Sequence, residues 1–206
     1  MKKIRVLVAD DHALMRMGLS ALFKTDPALT VVGEAEDGQQ AIDKSAESKP
    51  DLVVLDLMMP GISGADALRI IKQKNPETKV VILTTFAISD VLSRALEEGA
   101  DGALLKSTPN EELLDIIHRV ADGEHYVSNE VKELIRSDPP LPPLSPRQRQ
   151  ILEAVAKGLS NKEIATKLNL KPDSIKSYFD ILFNKLGASS RAEAVAIALR
   201  KQLLKI

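Results

Sequence analysis

Across the first 122 residues, short aliphatic and β-branched runs alternate five times with amphipathic stretches of helix length. Parallel strands need long crossovers, and helices in those crossovers cover both faces of a single sheet, so the pattern points to an α/β fold. Strands are predicted over 4–9, 30–35, 52–57, 79–84 and 102–105, with helices over 13–25, 39–48, 65–74, 89–98 and 111–121. A sixth helix, over 130–136, is expected to lead out of the domain.

The pattern then changes. Residues 137–146, SDPPLPPLSP, hold five prolines and read as a semi-rigid extended spacer. Beyond it every predicted element is helical: 146–157, 161–168, 172–186 and 191–204. Three of these starts match the S-x-x-E/Q capping box, at Ser145 with Gln148, Ser160 with Glu163 and Ser190 with Glu193. The fourth has Pro172 in its first turn and Gly187 as its stop. The domains are therefore expected over 1–122 and 145–206, joined by a helix and linker over 123–144.

The net charge of −1 hides an asymmetry between the halves. Residues 1–138 carry a net −8 and residues 139–206 a net +7, which suits a nucleic-acid-binding module attached to an acidic domain. The absence of cysteine excludes disulfides, thiolate nucleophiles and zinc-thiolate sites. No apolar run is long enough to span a membrane, and no leader precedes the first acids, so a soluble cytoplasmic protein is expected.

Four loaded positions fall where predicted strands end: Asp10-Asp11, Asp56, Thr84 and Lys106. Ligands of open α/β sheets gather at that carboxyl edge, so three carboxylates, a hydroxyl and an ammonium are expected to converge. Carboxylates this close raise one another's pKa unless a cation joins them, and a hard divalent ion, Mg2+ by usage, resolves the conflict. Helix capping is the plainer reading for Asp11. A carboxylate beside such a cation, an ammonium and a hydroxyl is set to attack phosphorus, with Thr84 and Lys106 meeting phosphoryl oxygens.

The segments VADDH, VVLDLMMPGISG, VVILTTF and GADGALLKS, in this order and spacing, closely resemble the receiver domain of two-component response regulators. The resemblance implies a flavodoxin-like, doubly wound five-stranded parallel sheet. It also implies that Asp56 is the phosphoacceptor for a sensor histidine kinase, and that Asp11, Asp56 and the Met58 carbonyl ligate Mg2+, with Asp10 helping through water. Thr84 and Lys106 fall at the family's switch positions.

Two departures stand out. Where the family usually has an aromatic residue three positions before the lysine, this chain has Ala103, so coupling must run differently or be weaker. Phe86 is a candidate substitute. Met58 and Phe86 flank the acceptor, and neither side chain orients an attacking water, so a long-lived phosphoryl group is expected.

In the basic half, GLSNKEIA, SIKS and NKLGASSRAEAV resemble the LuxR-type helix-turn-helix domain, making the chain similar to NarL/FixJ-type response regulators. By that resemblance the 172–186 helix enters the major groove of double-stranded DNA with Lys176, Ser177 and Asp180 outward, and the last helix forms a dimer contact on an inverted-repeat site. Lys162, Lys167, Lys171, Lys185 and Arg191 are candidates for backbone contacts. Asp180 is unusual here: it accepts from cytosine or repels phosphate. Tyr178 replaces a common histidine, and Lys171 takes the place of the usual capping serine.

The expected function is a transcription regulator rather than an enzyme, homodimeric when phosphorylated or DNA-bound. An aspartate-dependent phosphohydrolase needs a second acid two residues after the nucleophile, where this chain has Met58. The remaining alternative is a DNA-binding regulator that works without phosphorylation and uses its receiver for protein interaction.

Overall fold

The protein is described by a computed structural model covering residues 3–85, 88–201 and 203–204. Its packing divides between Asp138 and Pro139 into two units.

The first unit is a parallel sheet of β1 (Ile4–Ala9), β2 (Leu29–Ala35), β3 (Leu52–Leu55), β4 (Lys79–Thr84), β5 (Gly102–Leu105) and β6 (Tyr126–Val127), in the order β2-β1-β3-β4-β5-β6. Side chains alternate between its faces with the strand period of two. Leu7, Val53, Leu55, Val80 and Ile82 enter one core with α2 (Gly38–Ser48), α3 (Gly64–Lys74) and α4 (Ser89–Glu97). Val6, Val8, Leu52, Val54, Val81 and Leu83 enter the other, where Phe23 of α1 (Ala13–Thr25) and Ile116 and Ile117 of α5 (Asn110–Ala121) cover them. Both faces are buried, which is why these strands read as continuous apolar runs.

The sheet carries one strand more than the five expected. β6 pairs with β5, and α6 (Asn129–Ser137) then packs against β5 and α4 instead of leading away, burying Val131 completely. Ala103 lies on the strand that α6 packs against. Fully buried, it shares a core with Val127, Val131 and Ile135, where a larger side chain would compete for space.

The second unit contains α7 (Pro146–Ala156), α8 (Asn161–Leu168), α9 (Pro172–Leu186) and α10 (Arg191–Arg200) around Ile151, Ile164, Ile175, Leu182 and Ala198. Ser145 and Ser160 form complete capping boxes, whereas the Glu193 side chain turns to Ser189 rather than to the Ser190 amide. α10 stops at Arg200, short of the expected 204, and the Leu203 amide folds back onto the Ala198 carbonyl. Part of the proline-rich stretch is not a free spacer. Leu144 is buried and Leu141 partly so in this core, while Lys185 donates to the Pro143 carbonyl (2.8 Å) and Lys201 to that of Pro139 (3.3 Å).

Candidate functional site

The carboxyl edge of the sheet is assembled by register. Ala9 pairs with Leu55, and the ladder continues one bond beyond, from the Asp56 amide to the Ala9 carbonyl (2.8 Å), so Asp10 and Asp56 emerge side by side. On the other flank Thr84 pairs with Leu105, and the Lys106 amide donates to the Thr84 carbonyl (2.9 Å). The loop after Asp56 turns back sharply, because Gly61 adopts a positive φ and α3 starts against the acceptor strand. A Cβ on Gly64 would lie 2.0 Å from the Asp56 carbonyl oxygen, so only glycine fits there.

Asp10, Asp56 and Thr84 are almost completely buried. Lys106 Nζ stands 2.6 Å from a carboxylate oxygen of each acid, and the Met58 amide donates to Asp56 at 3.2 Å. Burial pushes the Asp56 carboxyl above its ordinary value, against the pull of Lys106. Burial also works against the Lys106 ammonium, but hydrogen bonds to Asp10 and Asp56 outweigh it and hold its pKa above the ordinary value. One ammonium thus serves two buried acids, with Asp11 adding a third charge beside them. Neither Asp10 nor Asp11 caps α1: His12 is its N-cap residue and makes no side-chain cap bond, while its Nδ1 meets Asp11 at 2.7 Å. Single ligand atoms of Asp10, Asp11, His12 and Asp56 lie within 4.8 Å of one another. The three carboxylates supply hard oxygen donors and uncompensated negative charge, which suits a hard divalent cation.

In the helical unit, α8 is capped by Asn169 in the left-handed conformation, and the three-residue turn over 169–171 leads into α9. α9 buries Ile175, Phe179, Leu182 and Leu186 and exposes Lys176, Ser177, Asp180 and Ile181 on the opposite arc. Its first turn lacks a side-chain cap bond, as expected with Lys171 at the cap.

Residues 6–118 match the response regulator receiver domain family, and residues 142–198 match the bacterial regulatory proteins of the luxR family. The chain is a response regulator. It is 36% identical over 210 residues to the transcriptional regulatory protein YdfI of Bacillus subtilis, covering 98% of each. To the oxygen regulatory protein NreC of Staphylococcus aureus it is 38% identical over 216 residues, covering 98% of this chain and 100% of NreC. A solved structure of RcsB dimers bound to DNA matches with a TM-score of 0.68 and 25% identity, over 97% of this chain and 99% of that one. The response regulator therefore joins a receiver domain to a LuxR-type DNA-binding domain, the architecture of two-component transcription regulators.

The structure gathers Asp10, Asp11, Asp56 and Lys106 into one cluster, and the register brings Thr84 to the same edge. The Met58 side chain packs on the adjoining core; Phe86 lies outside the described residues. Lys162, Lys167 and Lys171 are exposed. Two other candidates are engaged internally. Lys185 binds Pro143 and, at 3.2 Å, Gln148. Arg191 donates to Asn161 (2.6 Å) and the Leu159 carbonyl (2.5 Å), and its guanidinium lies 5.0 Å from the centre of the Phe179 ring. Both tie α9 to its neighbours within the helical unit.

Sequence reasoning passed over Ile181, 49% exposed on the arc of Lys176 and Asp180, although helical spacing marks it. It also passed over Arg16, whose partners are a backbone carbonyl and a distant acid.

Among the described residues no helix is long and apolar enough to cross a membrane.

Proposed function

We propose that this response regulator accepts a phosphoryl group on Asp56 from a phosphohistidine of a sensor kinase, and that acceptance changes its sequence-specific binding to DNA. The observation that carries this reading is the buried Asp56 carboxylate held 2.6 Å from Lys106 beside a second acid. An Asp56 oxygen attacks phosphorus in line with the P–N bond. That bond breaks, and its electron pair leaves with the imidazole nitrogen. Lys106, released from the free carboxylate, pairs with a phosphoryl oxygen. Thr84, at the same edge, donates its hydroxyl to another. Asp10, Asp11, Asp56 and the Met58 carbonyl would hold Mg2+, which supplies charge neutralisation for the phosphoryl oxygens.

The outcome reaches DNA through α9, with Lys176, Ser177 and Asp180 toward base edges and exposed lysines, among them Lys162 and Lys171, toward the backbone. Dimerisation on an inverted repeat is part of this reading, supported by the DNA-bound RcsB dimers. So is a cytoplasmic location, where a kinase and DNA are both accessible.

With Ala103 covered by α6, we infer that coupling runs through α4. Its first residue, Ser89, follows the Thr84 strand, and its hydroxyl donates to Asp138 at the end of α6 (3.2 Å). The same buried Ala103 also favours a second reading, in which DNA binding is independent of phosphorylation.

One experiment separates the two. The chain and Asp56→Asn are treated with a small-molecule phosphodonor with and without Mg2+, then assayed for phosphate incorporation and DNA-site selection. Mg2+-dependent incorporation at Asp56 that shifts DNA affinity supports the first reading; incorporation without a shift supports the second.

A further inference from the structure

Two of the three carboxylates at the acidic edge sit on adjacent residues, Asp10 and Asp11, so the peptide joining them sets the directions in which both leave the chain. That peptide is held from an unexpected quarter. Arg16, one turn into α1 and only 15% exposed, donates from Nη1 to the Asp10 carbonyl at 2.7 Å. Its Nη2 stands 3.7 Å from a carboxylate oxygen of Glu36, the residue just past β2. Glu36 is itself restrained, because the Gln40 side chain donates to it (2.9 Å) while the Gln40 backbone amide is bound by the cap residue Asp37 (2.8 Å). On its other side Asp10 is fixed by its own amide, which donates to the Ala35 carbonyl (3.0 Å).

Electrostatics alone gives an arginine no advantage here. A guanidinium next to three clustered carboxylates repels any cation they collect, so its charge opposes metal binding. Its geometry does the reverse. A planar fork can hold a carbonyl and a carboxylate at once, which a single ammonium does poorly. A hard cation also gains most from ligands delivered already in place.

We propose that Arg16 is a positioning residue for the phosphoryl site. Anchored by Glu36, it fixes the Asp10–Asp11 peptide so that both carboxylates face one divalent cation. This rests on the Mg2+-dependent reading of the site given above.

The test is a Mg2+ titration of the full chain, followed by calorimetry and by the Asp11 amide resonance, for the unaltered protein, Arg16→Lys, Arg16→Gln and Glu36→Gln. Melting in EDTA checks that each variant is folded. Positioning predicts that both Arg16 variants weaken Mg2+ binding roughly tenfold or more. Glu36→Gln, at an exposed side chain, should weaken it less but in the same direction. The Mg2+ concentration for half-maximal phosphorylation by a small donor should rise in step, and the metal-free Asp11 resonance should move in Arg16→Lys. If Arg16→Gln binds Mg2+ more tightly and Arg16→Lys binds as the unaltered protein does, the guanidinium acts only as a charge and the inference falls. If the unaltered protein binds no Mg2+, the reading of the site falls and takes this inference with it.

Discussion

Lys106 places its ammonium 2.6 Å from Asp56 and at the same distance from Asp10, with all three side chains nearly excluded from water. One ammonium shared by two buried acids leaves a deficit of positive charge that suits a further cation. Replacing Lys106 by Met should cost about 3 kcal/mol in EDTA, because the acids lose their partner while remaining buried. Calorimetry should then show Mg2+ raising the receiver's melting temperature more in the variant than in the unaltered protein. Equal gains would mean that the ammonium and the metal do not share these carboxylates.

A third buried acid lies away from the site. Asp101 receives Lys72 (2.5 Å), Lys79 (3.3 Å) and the Val80 amide (2.8 Å). Burial pushes its carboxyl up, but these partners outweigh burial and hold it below its ordinary 3.8. Folding therefore favours the ionised form, so the stabilisation is complete above the ordinary value and is lost as pH falls through the depressed one. Asp101→Asn should cost about 3 kcal/mol at neutral pH, shrinking as the medium turns acid. Chemical denaturation of both proteins across that range measures the difference, and a gap independent of pH would exclude this origin.

Elements with a clear period or cap were legible beforehand. The continuous apolar run of β1 and the capping serines Ser145 and Ser160 set their boundaries locally, and the five edge residues followed from where strands end. What escaped depends on distant partners. β6 is two residues long, too short to show a period, and α6 reads like any exit helix until Ala103 provides its seat. Lys185 and Arg191 look like free basic residues because their acceptors lie 30 or more positions away. Arg16 binds a main-chain carbonyl, which leaves no trace in side-chain identity.

The internal engagement of Arg191 distinguishes it from the exposed Lys176 of α9. Arg191→Ala should destabilise the helical unit by about 2 kcal/mol through lost hydrogen bonds and the stack on Phe179, while leaving the salt dependence of DNA affinity unchanged. Lys176→Ala should do the opposite, sparing stability and weakening DNA binding. If it meets phosphate, the slope of log affinity against log salt falls by about one; if it reads guanine, discrimination at one base pair is lost. A reduced salt slope for Arg191→Ala would return that residue to the DNA surface.

The proposed coupling route through α4 has its test at Asp138. Asp138 and Pro139 are consecutive, yet the Asp138 carboxylate accepts from Ser89 on α4, while the Pro139 carbonyl accepts from Lys201 after α10. Each residue is held within its own unit, so the Ser89–Asp138 bond is the contact at which the proposed route through α4 is tested. Asp138→Ala should leave phosphate incorporation at Asp56 intact and reduce the change in DNA affinity that follows it, by a factor of about 5 for a coupling near 1 kcal/mol. Titrations of the unphosphorylated and phosphorylated forms against one selected site provide the four affinities required. If the ratio in Asp138→Ala matches that of the unaltered protein, α4 and α6 do not carry the signal, and the receiver reaches the DNA-binding helices by another surface.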